Sequence, residues 1–434
     1  MADLFIKNGA LLEPSARQER LGHLLLRRGE IAKVLATEEE FEKELLELPD
    51  ATVLDANGKM VAPGFVDTNC QLREPGHEED ETIAKGTAAA VAGGYTTIAA
   101  LPNTDPPLDT PEGIEYLLQK GIQAGNCRVV ALGSLSKGRK GKELAEMGAL
   151  VAAGAVGFTE ATAPLANTEL FQRALEYSLM FGVPIFDHPE EPVLSRNGVM
   201  HEGAVSLVLG LDGISAESED VVTGRDIRLA EATGGKVHLL GVSTSGSLDQ
   251  LRRAKERGIP ITAGISPVNF VLTDEVFRSF GSQYKVKPPI RSQDHVDACL
   301  AALADGTIDL ISSGHSPRAA EKKMQELDQA PFGHSAIETV LPLVGEYLVD
   351  AGYLTWLEAI EKMSTTPARL LGLEAGSLKV GSRADITIFD PKQKWVVGPE
   401  TLVSEAKSSP FSGKELTGKV THTIVGGRVV YGDI

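Results

Sequence analysis

Hydrophobic and polar positions change rhythm twice along this chain. Over the first 60 residues, short apolar runs alternate with turn signals. DLFIKNGALLEP turns at Asn8-Gly9, GHLLLRRGEIAKV at Gly29 and TVLDANGKMVAPG at Asn57-Gly58. Runs of this length bounded by Asn-Gly or Gly predict strands and hairpins. The C-terminal stretch repeats the pattern in ADITIFDP, KWVVG and THTIVGGRVVYG. Neither end can make a stable sheet alone, so the two termini are expected to build one small β-sandwich together.

The middle alternates strand-length apolar runs with amphipathic stretches. The runs begin at Met60, Tyr95, Cys127, Ala155, Pro184, Lys236, Pro260 and Ile308. Between them lie helix-patterned segments such as GIEYLLQKGIQAG, LFQRALEYSLMFG and HVDACLAALADG. Eight strands alternating with helices predict a (β/α)8 TIM barrel. A doubly wound open sheet is the runner-up, but it needs no eighth strand. The expected division is a composite β domain of residues 1–61 plus 372–434, and a barrel over 62–371.

Composition refines this little. A hydrophobic share of 42% supplies a sizeable core. The net charge of −18 argues against non-specific binding to nucleic acid or an anionic membrane. Cys70, Cys127 and Cys299 are far apart and form no CxxC pair, which suits a reducing compartment. MADLFIKNGALLEP has no basic region followed by a long apolar run, and no stretch approaches the ~20 apolar residues of a membrane span. A cytoplasmic location is expected.

Barrel active sites lie at the C-terminal ends of the strands. There the first strand presents Asp67, Asn69, Gln71 and Arg73, the second Asn103 and the fourth Glu160. The fifth presents Asp187 and His188, the sixth Ser243 and Thr244 after Gly241. The eighth presents Gly314, His315, Ser316 and Arg318. Away from this rim, His238 reads as a core residue and His315 as a partner of a neighbouring loop. His77, His201 and His334 read as solvated, as does the acidic run of Glu74 and Glu78 to Glu81.

From PGFVDTNCQLREPGHEEDETIAKGTAAAVAGGYTTIAALPNTDPP onward, the sequence resembles the type I dihydroorotases of the amidohydrolase superfamily. GVPIFDHPEE, GRDIRLAEATGGKVHLLGVSTSGS, KVKPPIR, DGTIDLISSGHSP and SRADITIFDP extend the resemblance in order to the C-terminal region. It implies an amidohydrolase-type barrel and an enzyme that opens dihydroorotate to N-carbamoyl-aspartate, or runs the reverse in pyrimidine synthesis. In such enzymes zinc activates a water and a carboxylate after strand eight moves the proton.

Carried over residue by residue, the metal-ligand positions are degenerate. The paired histidines fall on Asn69 and Gln71, the bridging acid on Glu160 and the strand-five histidine on His188. The strand-six histidine falls on Gly241, and the proton-carrying aspartate on Gly314. Amides are poor zinc ligands and glycine offers none. The expectation is a catalytically inactive relative with no cofactor, acting as a structural partner of aspartate transcarbamoylase in a homo- or hetero-oligomer. The alternatives are an active dihydroorotase with an atypical metal site, zinc included, or a binder of dihydroorotate or carbamoyl-aspartate. The family's carboxylate binders fall on Arg73, Asn103 and Arg318. Those residues either hold an acidic small molecule or brace the loops of the rim.

Overall fold

A computed structural model describes residues 3–433. Eight strands pair in parallel in chain order: Phe65–Cys70, Tyr95–Ala100, Arg128–Ser134, Ala155–Thr159, Ile185–Asp187, Val237–Leu239, Ile261–Ile265 and Leu310–Ile311. A parallel bridge between Cys70 and His315 joins the last strand region to the first, with Gln71 N–H donating to His315 O at 2.9 Å. The (β/α)8 barrel read from periodicity is present. Its strands are largely buried because helices cover the outer face and side chains fill the interior. All six residues of Tyr95–Ala100 are buried.

The helices form where caps and apolar spacing coincide. In Thr168–Ser178, Asn167 accepts the Leu170 N–H and starts the helix. Leu170, Phe171, Ala174, Leu175 and Ser178 then make one buried face. Pro111–Ala124 starts with Thr110 as cap and a proline in its first turn, and ends at left-handed Gly125. Among the described residues, no helix is long and apolar enough to cross a membrane.

Both termini contribute to a second eight-stranded sheet. Met60–Pro63 lies at its centre, antiparallel to Ile386–Val396 on one side and parallel to Leu4–Glu13 on the other. The expected terminal β unit is therefore present as one continuous hydrogen-bonded ladder. Ile6, Leu24, Ile31, Val61, Ile386, Ile388 and Ile424 give it a core of its own. Close packing fixes Gly9, where a Cβ would stand 2.6 Å from Val61 Cγ2.

Some expectations about polar residues fail. Of the acidic run only Glu78 and Glu79 are exposed as expected: Asp80 and Glu81 are fully buried, and Glu74 nearly so. Asp80 accepts the Ala319 N–H at 2.8 Å, and Glu81 meets His315 Nε2 at 2.7 Å and the Ser404 hydroxyl at 2.7 Å. Charge density in the sequence concealed partners more than 200 positions away. His201 is also buried, against Arg291 and Ser292.

His238 is a core residue as expected. It is fully buried, with Nδ1 2.8 Å from Thr262 Oγ1 and its ring edge-on to Phe186. Burial, and then the charge of Lys255, lowers its pKa from 6.5 to about 3. Stability present above pH 6.5 is therefore lost as pH falls toward 3, because the unfolded chain takes up a proton that the folded imidazole refuses. About 2 kcal/mol should disappear through this residue between pH 7 and pH 5. Denaturant unfolding of the wild type and His238→Gln at both pH values should show their difference shrink by that amount.

Candidate functional site

The strand ends bring six of the sequence-derived positions to one cavity or its immediate wall. Asn69, Gln71, His188, Gly314, Ser316 and Arg318 line it, together with Leu240, Lys287, Pro288, Phe332, Gly333 and His334. Gly241 adjoins this wall through Leu240. Arg73, Asn103 and Glu160 stand behind it.

The first strand places Asn69 and Gln71 on the rim. Gln71 is buried and its Oε1 accepts a hydrogen bond from Asn103 Nδ2 at 2.8 Å. A metal-ligand position and a carboxylate-binding position thus satisfy each other. Arg73, 2% exposed with φ +63°, donates from Nε to Pro317 O at 3.1 Å and from Nη2 to Ser316 Oγ at 2.8 Å. Burial, then the nearby Arg318 cation, lowers its pKa to about 9. Arg318 donates from Nε to Phe332 O at 3.0 Å and from Nη1 to Asp80 Oδ2 at 3.1 Å. Both arginines tie the eighth-strand loop to its surroundings.

Glu160 follows the fourth strand. Its Oε1 accepts the Ser136 N–H at 2.5 Å and its Oε2 has no partner. Burial raises its pKa, which favours the neutral acid. His188 follows the fifth strand with Nε2 3.4 Å from Glu190 Oε2, within ion-pair reach but off the line of a hydrogen bond. Glu190 also accepts from Lys287 Nζ at 2.7 Å and Ser195 Oγ at 2.8 Å. Burial opposes the Glu190 charge, but His188 and Lys287 outweigh it and hold the carboxyl well below its usual range.

Gly241 and Gly314 sit at φ +73° and +65°. A Cβ at Gly241 would stand 3.1 Å from Pro288 Cδ, and one at Gly314 3.0 Å from Ser266 Cβ. Among the described residues, no three His, Cys, Asp or Glu side chains are arranged to hold a metal ion. The donor set present does not fit a zinc pair.

Sequence reasoning missed three site residues. Lys287 was part of the KVKPPIR match, yet nothing in that segment signals that its amine reaches Glu190 across 97 positions. Glu190 follows His188 by two residues, and that spacing was its one local signal. His334 was placed in a solvated loop, but it is 3% exposed. Burial, then the charges of Lys323 and His315, lowers its pKa to about 3. Two buried lysines hold the segment before it. Lys285 Nζ donates to Leu327 O and Asp328 O at 2.8 and 2.9 Å, and Lys323 Nζ to Pro331 O at 3.0 Å.

Residues 58–247 match the family model described as Dihydro-orotase-like, and residues 327–431 match that of the Amidohydrolase family. The chain is 44% identical to the dihydroorotase of Pelotomaculum thermopropionicum, over 99% of each chain. The chain belongs to the dihydroorotase family. It is also 42% identical to the dihydroorotase of Anaeromyxobacter dehalogenans, over 99% of this chain and 98% of that one. Among solved structures, the L-hydantoinase (dihydropyrimidinase) of Arthrobacter aurescens superposes with a TM-score of 0.86 at 24% identity, over 100% of this chain and 97% of that one. That likeness carries the fold alone: the amidohydrolase-type barrel with its added sheet.

The backbone at Gly314 makes a direct prediction for this dihydroorotase-family site. Gly314→Asp introduces a Cβ into left-handed backbone and into contact with Ser266. It should destabilise the protein by about 1–2 kcal/mol. Ser266→Gly in the same chain should recover part of that loss in denaturant unfolding.

Proposed function

We propose that this chain is a dihydroorotase-like protein of pyrimidine synthesis that does not hydrolyse or close the dihydroorotate ring. One observation carries the reading. The positions that would supply a metal pair and the proton carrier present two amides and two glycines, Asn69, Gln71, Gly241 and Gly314. Ring opening needs a polarised amide, an activated water and a group that carries a proton. Glu160 and His188 are the remaining candidates for these roles. Glu160 is held by Ser136, and His188 faces Glu190.

A role beside aspartate transcarbamoylase belongs to the same proposal. It rests on the resemblance described above, and a retained barrel fits a protein kept for its surface. The second reading, an active dihydroorotase making N-carbamoyl-L-aspartate, is favoured by the names of the relatives. It would use Glu160 and His188 with an atypical metal.

Two measurements separate these readings. The protein purified in zinc-supplemented buffer should carry well under one zinc per chain. It should turn dihydroorotate over at least roughly a thousandfold more slowly than an active relative. Stoichiometric zinc with comparable turnover establishes the second reading instead. Native co-purification should recover aspartate transcarbamoylase in a stable complex, and its absence there sinks the partner proposal.

A further inference from the structure

The cavity at the strand ends is lined with hydrogen-bond donors. Its wall presents Lys287, Arg318, His188, His334, Asn69 and Gln71, and no carboxylate. Two of the three adjacent acids are paired, and Glu160 keeps one oxygen without a partner. Glu190 pairs with Lys287 at 2.7 Å, Asp80 with Arg318 at 3.1 Å, and Glu160 receives the Ser136 N–H from behind the wall. This concentration of positive and donor groups occurs in a protein of net charge −18, so it is not a sample of the general surface.

Several of these donors have no partner in the protein. His334 is 3% exposed and both of its ring nitrogens are unpaired. His188 Nε2 is unpaired as well and also buried. Lys287 uses one of its three protons on Glu190, and Arg318 uses Nε and Nη1 but not Nη2. Gln71 accepts from Asn103 through its oxygen, which leaves its amide protons free. Buried polar atoms without partners are uncommon and call for a water or a ligand. The cavity measures about 60 Å³, room for roughly four waters.

We propose that this cavity binds a small oxyanion, a carboxylate, bicarbonate or phosphate, at the place where active dihydroorotases hold metal cations. Lys287 and Arg318 supply the N–H protons that their pairing with Glu190 and Asp80 leaves unused. His334, His188 and the two amides supply further N–H donors to the anion's oxygens. Hydrogen bonds from charged donors are the strong ones, and they offset part of the loss of water around a buried anion. The proposal rests on the reading that the metal ligands are gone, since a zinc pair would occupy the same volume.

Calorimetry on the full-length protein, freed of metal by chelation and kept in phosphate-free buffer, tests it. Sodium phosphate, bicarbonate and acetate are titrated separately against chloride at constant ionic strength. At least one should bind saturably with one site per chain. Lys287→Gln should weaken it about tenfold or more, and His334→Phe should abolish it. Should His334→Phe fail to fold, Lys287→Gln carries the same decision. The ranking of the three anions identifies the ligand class. Saturable binding by none of them up to roughly 10 mM overturns the proposal, as does binding that both variants leave unchanged. Zinc with turnover would remove the functional reading above, whereas a metal-free protein that ignores all three anions removes only this one.

Discussion

The whole rim depends on how the barrel closes. Asp67 is fully buried, and its oxygens accept from Ser313 N–H at 3.0 Å, Asn69 N–H at 3.2 Å and the Ser313 hydroxyl. Burial raises its pKa, and these three donors counter that shift. Together with the bond from Gln71 to His315 O, they stitch the first strand to the eighth. Asn69, Gln71, Gly314 and Ser316 all lie within four residues of this seam. Their positions are set by hydrogen bonds inside the protein. A seam held this way needs no metal ion to fix its shape.

A second layer fixes the loop beyond the seam. His315 joins Glu81 in a buried pair, Glu81 reaches Ser404, and Asp80 gathers Ala319, Arg318 and Lys322. Lys285 and Lys323 meet backbone carbonyls instead of carboxylates. Burial, followed by Lys285 and Arg318, brings the Lys323 pKa down to about 7. Amine donors are therefore built into the loop on this side of the barrel and continue into the wall of the cavity.

The fold was legible because period and length carry it. Eight apolar runs and their amphipathic partners marked the barrel, although the first run begins in Met60–Pro63 of the terminal sheet and only its end enters the first barrel strand. Among the N-terminal turn signals Gly29 closes a hairpin, whereas Asn8-Gly9 lies at a bulge within Leu4–Glu13 and Asn57-Gly58 joins two strands that each pair with Leu4–Glu13. The site was legible only where a residue acts from its own strand end, as His188, Asn69 and Gln71 do. Residues that act through distant partners were not. Asp80 and Glu81 look like solvated charge until Ala319 and His315 are placed beside them. Lys287 and His334 reach the cavity from loops whose course has no local signature. Arg73 and Asn103 stand behind the cavity wall. Their hydrogen bonds to Pro317, Ser316 and Gln71 follow from packing that sequence pattern does not encode.

The sheet shared by the two termini sets the order in which the molecule can be assembled. Met60–Pro63 pairs with Ile386–Phe389, so one side of that central strand stays open until the far end of the chain emerges from the ribosome. Synthesis runs N-terminal first, and unpaired strand edges invite aggregation. The eight barrel strands, complete by Ile311, therefore emerge while the neighbouring sheet is still half built. Late closure of that sheet, with its high sequence separation, is the step at which a nascent chain of this architecture is most exposed to chaperones.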